Sequence, residues 1–343
     1  MKIIDIRSDT VTMPTPEMRK VMAEADVGDD VYHEDPTINR LEEKGAELMG
    51  KEEGIFMPSG TMANACAIMG HCRRGDEVLC GQGAHSFFYE TGAGPALAGA
   101  QFYTLPGGGM FTAGDMKKAV KPLHFHFPRT SLVCVENTMN KAGGRLWDQD
   151  EVDLIVKTAH ELNLKAHLDG ARIFNAQTAS GTPAARLARG FDSVSFCLSK
   201  GLGAPVGSVL CGSAEFIHDA RRWRKMCGGG MRQAGILAAA GLYALENNVD
   251  RLKDDHALAK KFARALADIP AVEIDLDTVE TNIFGFFVPE NIEALDVQEK
   301  LKEKGVLINI LSEHEIRVVT HMNLSEEDVD EAVDIIKSVL ETC

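Results

Sequence analysis

"TSLVCVEN" (residues 130–137), "QDEVDLIVKTAHELN" (149–163) and "KAHLDGAR" (165–172) follow one another as a short apolar run, an amphipathic helical pattern and a second short apolar run. Strands that are apolar throughout, rather than alternating, and that are separated by helices belong to a parallel sheet covered on both faces. The same alternation extends outward from this unit. "GIFMPSG" (54–60) leads into "TMANACAIMGHC" (61–72), "EVLCG" (77–81) leads into "AHSFFYETGAG" (84–94), and "DSVSFCLSKG" (192–201) adds a further strand. The predicted class is α/β with a mostly parallel sheet. Beyond residue 245 the texture changes to a charged helix (247–268), a strand "TNIFGFFV" (281–288), a helix (295–305), strands "VLINIL" and "EIRVVT", and a last helix. That last helix has Ser325 as its expected N-cap and Val329, Val333, Ile336 and Leu340 at helical spacing. The expected division is therefore a large domain over 1–245, with an N-terminal arm, and a small C-terminal α+β domain over 246–343.

Composition bounds the function. The chain has 343 residues, is 45% hydrophobic and carries 36 Lys and Arg against 51 Asp and Glu, a formal charge of −15. That length supports a large core and a second domain. An acidic balance disfavours nucleic acid and anionic membrane as partners, since both reward clustered Lys and Arg. Residues 1–20 hold no apolar signal-peptide core, and the stretch around 235–245 is too short to span a bilayer, so the expected setting is cytoplasmic with a small-molecule substrate. The eight cysteines, Cys66, Cys72, Cys80, Cys134, Cys197, Cys211, Cys227 and Cys343, show no CxxC pair and read as reduced core thiols.

Ligands of open parallel sheets bind at the carboxyl ends of the strands. Lys200 follows "SVSFCLS", Asp169 follows "KAHL", His85 follows "EVLCGQGA", and Ser59, Gly60 and Thr61 follow "GIFMP" at a helix mouth. Each has an ordinary alternative: a turn lysine, an N-cap aspartate with Arg172 as its ion-pair partner, a core histidine, a capped helix start. Together they supply an amine, a carboxylate, a flat ring and a phosphate cradle, the set that pyridoxal phosphate requires. His124 and His126 alternate with Phe125 and Phe127 but lack further ligands at suitable spacing, so no metal is expected.

"DIRSDTVTMPTPEM" (5–18), "FMPSGTMAN" (56–64), "HLDGARIFNA" (167–176), "FCLSKGLGAPVGS" (196–208) and "EIRVVTH" (315–321) resemble the low-specificity L-threonine aldolases, among the fold-type-I pyridoxal phosphate enzymes, and the resemblance covers nearly the whole chain. It implies that Lys200 forms the Schiff base, that Asp169 meets the pyridine nitrogen and that Arg172 lies near the phenolic oxygen and the substrate carboxylate. It implies further that Gly60, Thr61 and Ser199 hold the phosphate and that His85 covers the ring. Ser8, Arg172 and Arg317 would receive the carboxylate, and His126 would approach the β-hydroxyl. The implied reaction is cleavage of L-threonine, L-allo-threonine and related β-hydroxy-α-amino acids to glycine and an aldehyde, with His85 or His126 as base. The implied assembly is a homotetramer of two catalytic dimers, with segment 8–18 as an arm across a partner. The family usually reads Glu-Asn-Thr-His-Asn where this chain has "ENTMN" (136–140), so Met139 is either a change of the β-substituent pocket or a remote substitution. A β-eliminating reaction on the same scaffold, giving pyruvate and ammonia, is the alternative chemistry. A non-catalytic module using "GGGMRQ" (228–233) as a binding loop is the distant one.

Overall fold

The computed structural model describes residues 2–342. Its strands are β1 (Ile4–Asp5), β2 (Glu53–Met57), β3 (Glu77–Gly81), β4 (Gln101–Leu105), β5 (Thr130–Glu136), β6 (Lys165–Asp169), β7 (Ser193–Cys197), β8 (Ser208–Gly212), β9 (Ile283–Phe287), β10 (Val306–Leu307), β11 (Asn309–Ile310) and β12 (Glu315–Val319). Seven of these form the main sheet in the order β2-β8-β7-β6-β5-β3-β4. From β7 through β6, β5 and β3 to β4 every neighbouring pair is parallel. Strand β8 alone runs against its neighbours, pairing antiparallel with β7 and β2. The segment between Cys197 and Ser208 carries no crossover helix, so the chain doubles back beside the strand it has just left. The five central strands are buried at every residue or nearly so, which is why their sequences read as continuous apolar runs.

Side chains set where the covering helices start. Ser59 accepts from the Met62 N–H and opens Gly60–His71; Asp148 accepts from the Asp150 and Glu151 N–H groups and opens Gln149–Glu161. Asp35 caps Pro36–Met49, with Pro36 at the first position, where a missing N–H costs nothing.

A second core holds Phe262, Phe284, Phe286, Val306, Ile316, Val318, Val329 and Ile336. Antiparallel β11-β12-β9 lines it, and Glu326–Leu340 covers it, opened by a Ser325–Asp328 capping box. Ile4 and Ile6 also belong to this core, because β1 pairs in parallel with β10. Segment 8–18, expected as an arm across a partner, is anchored in its own chain: Asp9 and Met18 are fully buried, Met18 in the first core. Pro14 precedes the helix Pro16–Ala23, and Pro16 is its first residue, where a missing N–H costs nothing.

Among the described residues no helix is long and apolar enough to cross a membrane. Seven cysteines are free, Cys66, Cys80, Cys134, Cys197 and Cys211 of them buried; Cys343 lies outside the described residues.

Candidate active site

The carboxyl ends of β2, β3, β5, β6 and β7 converge on one side of the sheet. A cavity of about 260 Å³ there is lined by Ser8, His85, Tyr89, Arg172, Lys200 and Arg317, together with Thr10, Asn140 and the β11 segment 309–311. Five side chains singled out in the sequence thus meet in one concave site, drawn from the first residues, from the loops after β3, β6 and β7, and from β12.

Lys200 is half-buried in the turn between β7 and β8, and its backbone carbonyl accepts from Thr12 Oγ1 at 3.0 Å. No side-chain hydrogen bond or ion pair engages its amine among the described residues. Asp169 ends β6 and is buried. Its Oδ1 accepts from the Ala171 N–H at 3.1 Å and its Oδ2 from Asn64 Nδ2 at 2.8 Å. It does not cap the following helix, whose N-cap position is Arg172. Nor does Arg172 pair with it: that guanidinium grips Asp9 in two bonds, Nε to Oδ2 at 2.8 Å and Nη2 to Oδ1 at 2.6 Å. Burial alone would raise the Asp9 pKa, but the charge and hydrogen bonds of Arg172 outweigh it and hold the carboxyl well below its ordinary range.

Arg317 lies across the cavity from the other domain. Ile316 and Val318 face the second core, and the period of two turns Arg317 the other way. Its Nη1 donates to Asn140 Oδ1 at 3.1 Å and its Nη2 to the Arg7 carbonyl at 3.0 Å, while its buried Nε has no partner among the described residues. Arg172 Nη1 also reaches Asn140 Oδ1, at 3.4 Å. Two guanidinium groups therefore share one neutral acceptor. Burial and the adjacent Arg172 charge lower the Arg317 pKa.

His85 stands at the mouth of the loop after β3. Its backbone N–H donates to Glu136 Oε2 at 2.6 Å, and its ring Nδ1 lies 2.9 Å from Glu90 Oε1. Burial would lower the ring pKa, but the bond to Glu90 and the charge of Asp169 leave it above 6.5. Ligand atoms of His85, Glu90 and Asp169 all lie within 4.8 Å of one another. Glu136, fully enclosed behind them, is pushed up to about 7 by burial and by Asp169, against the pull of the His85 and Asn140 N–H groups.

Ser59, Gly60 and Thr61 stand at the start of the helix Gly60–His71, whose first N–H groups have no intrahelical partner. A Cβ on Gly60 would sit 3.0 Å from Cys197 Sγ, so glycine lets this helix end approach β7. Ser199 is half-buried beside Lys200, with Oγ 3.5 Å from the Gly207 carbonyl.

Within this chain His126 is not brought to the cavity. It lies in the exposed turn after residue 121, where Leu123 is 94% and Phe125 86% exposed. Met139 is fully buried against Gly109 and does not line the cavity. Arg232 of the "GGGMRQ" loop is bound to Asp29 at 2.9 Å. Sequence reasoning missed Asp9, Asn64, Glu90, Glu136 and Asn140. Asp9, Asn64, Glu136 and Asn140 lie within stretches singled out in the sequence, but nothing local marked their roles.

The model of the Beta-eliminating lyase family matches residues 5–288. The probable low-specificity L-threonine aldolase 2 of Arabidopsis thaliana is 44% identical over 337 residues, 96% of this chain and 95% of its own. The low specificity L-threonine aldolase of Escherichia coli (strain K12) is 44% identical over 331 residues, 96% of this chain and 97% of its own. The solved threonine aldolase of Leishmania major superposes with a TM-score of 0.83 at 20% identity, covering 98% of this chain and 99% of that one; this likeness shows the fold.

Proposed function

This chain belongs to the Beta-eliminating lyase family and has the fold-type-I architecture; from that premise we propose that it is a pyridoxal phosphate-dependent aldolase that cleaves L-threonine, L-allo-threonine and related β-hydroxy-α-amino acids to glycine and an aldehyde. The observation that carries the reading is the cavity in which Lys200, His85, Arg172 and Arg317 meet.

The residues fit the cofactor. Asp169 is a buried carboxylate bonded only by neutral donors, so its charge is left for a protonated ring nitrogen. Among the described residues Lys200 offers an amine that no side-chain hydrogen bond or ion pair engages, and the helix start at Gly60 and Thr61, with Ser199, suits the phosphate. When bound, the cofactor supplies an electron sink for the pair released as a bond to Cα breaks.

Arg172 and Arg317, with Ser8, bind the substrate carboxylate between them, which satisfies Arg317 Nε and offsets the repulsion of the two cations. Gripping the carboxylate orients the Cα–Cβ bond. Glu90 accepts from His85 Nδ1–H, which leaves Nε2 as the basic nitrogen. There it takes the β-hydroxyl proton, the Cα–Cβ bond breaks, the oxygen keeps its electrons as an aldehyde carbonyl, and Cα gains a proton to leave glycine.

The same proposal covers assembly and setting. The working unit is a homotetramer in which His126 reaches a neighbour's cavity; the exposed apolar turn of Leu123, Phe125 and Phe127 supports this. The domains divide near residue 245, and the seven unpaired cysteines support a cytoplasmic setting.

Product analysis decides the reaction. With L-threonine and pyridoxal phosphate, glycine and acetaldehyde in equal amounts are expected. Pyruvate-type keto acid and ammonia would assign β-elimination instead, and protein that takes up no cofactor would refute both.

A further inference from the structure

Behind Asp169 lies a run of buried polar groups that the chemistry above leaves unused. Asn64 sits on the helix that opens at Gly60. Its Nδ2 donates to Asp169 Oδ2 at 2.8 Å and to Glu90 Oε1 at 2.7 Å. Its Oδ1 is 3.2 Å from His167 Nε2 and 3.2 Å from Ser195 Oγ. Farther back, His167 Nδ1 is 2.8 Å from Ser193 Oγ, and that hydroxyl is 2.7 Å from His71 Nε2. Asn64, Glu90, His167, Asp169, Ser193 and Ser195 are all buried.

The chemistry of these groups leaves one orientation. The amide nitrogen of Asn64 faces both carboxylates, so its oxygen must accept from both remaining neighbours. His167 therefore carries its hydrogen on Nε2. Burial pushes its pKa down to about 4, so the ring is neutral and Nδ1 accepts. The Ser193 hydroxyl donates to that nitrogen and accepts from His71. Every hydrogen along the path points toward Asp169 and Glu90, and all four hydrogen-bonding positions of Asn64 are filled.

We infer that Asn64 is a positioning residue: held by His167, Ser193 and Ser195, it fixes Asp169 as an ionised acceptor for the cofactor's ring nitrogen and seats Glu90 against His85. The inference rests on the reading that pyridoxal phosphate binds in this cavity. A neutral donor suits the task because it steadies the carboxylate without neutralising it. A lysine or arginine at position 64 would take up the charge that the ring nitrogen needs.

The test compares two ligands on the cofactor-free protein: pyridoxal phosphate, and its analogue with C–H in place of the ring nitrogen. A hydrogen bond to a charged group is worth enough that Asn64→Ala is expected to bind pyridoxal phosphate about 10- to 100-fold more weakly. Binding of the analogue is expected to stay at the parent's value. Equal weakening for both ligands, or no weakening for either, overturns the positioning role while leaving the cofactor reading intact. A parent that binds no pyridoxal phosphate refutes that reading, and this inference with it. Should Asn64→Ala fail to fold, ¹⁵N NMR of histidine-labelled parent protein decides. A neutral His167 with its hydrogen on Nε2 supports the chain of donors; a hydrogen on Nδ1 overturns it.

Discussion

Asp9→Ala is the most telling perturbation, because it strikes the site through a residue to which the sequence assigned no role. Asp9 is wholly enclosed and holds Arg172, itself 6% exposed, through two bonds of 2.8 and 2.6 Å. Removing one member of a buried ion pair leaves an uncompensated charge and costs about 3–5 kcal/mol. Unfolding entropy near 2.1 cal/mol/K per residue gives 343 residues about 0.7 kcal/mol/K, so the expected fall in Tm is about 4–7 °C. The freed guanidinium also loses the two bonds that set its plane, so KM for the amino acid should rise about 10-fold or more. Asp9→Asn separates shape from charge. The parent's Asp9 pKa is depressed on folding, so its stabilisation is present above the unfolded value near 4 and is lost as pH falls through the lower folded value. That acid-side loss should be missing in Asp9→Asn. Thermal melts across pH and substrate titrations read both effects. An Asp9→Ala protein with the parent's Tm and KM would refute the reasoning.

Lys200→Ala should abolish both the visible band of bound cofactor and turnover while the fold survives, and borohydride should label Lys200 in the parent; peptide mapping that finds the label elsewhere sinks the assignment. Arg317→Lys keeps a charge but loses the planar fork, so kcat/KM should fall about 10- to 100-fold with Tm unchanged; parent-like kinetics would make Arg317 a bystander. The His85 pKa is raised above 6.5, so kcat/KM should climb through a limb above that pH; Glu90→Gln removes the anion that raises it and should move the limb to lower pH, which a pH–rate profile would show or deny.

Lys200, Asp169 and His85 were legible because each lies at the end of, or within four residues after, a run whose apolar character marks a strand, and strand ends are where such a sheet binds ligands. The reversal of β8 was not. "SVLCG" is as apolar as its parallel neighbours, and only the pairing register reveals its direction. The ordinary alternative would pair Arg172 with Asp169, three residues away, whereas its partner Asp9 lies 163 residues away. A charge pair between distant segments leaves no local trace in either. Asn64 closes the quoted "FMPSGTMAN", but its role was not legible: on an apolar helix it reads as one polar position, and its four partners come from three other places in the chain. Met139 stood out by its departure from a motif, yet it packs against Gly109 away from the cavity.

The chain crosses between its two cores twice, and the first crossing has a mechanical consequence. Residues 4–7 are bolted to the second core: β1 pairs with β10, the Ile6 carbonyl accepts from the Val319 N–H at 3.0 Å, and the Arg7 carbonyl accepts from Arg317 and Asn309. Two residues later Asp9 is locked to Arg172 in the first core. Ser8 is therefore the pivot of a short strap, with a second strap between the helices Gly235–Asn247 and Leu252–Ala267. A body held by two straps swings about the line that joins them and cannot turn freely about either one. A tilt of the second core about that line moves Arg317 relative to Arg172 and leaves Ser8, at the pivot, in place.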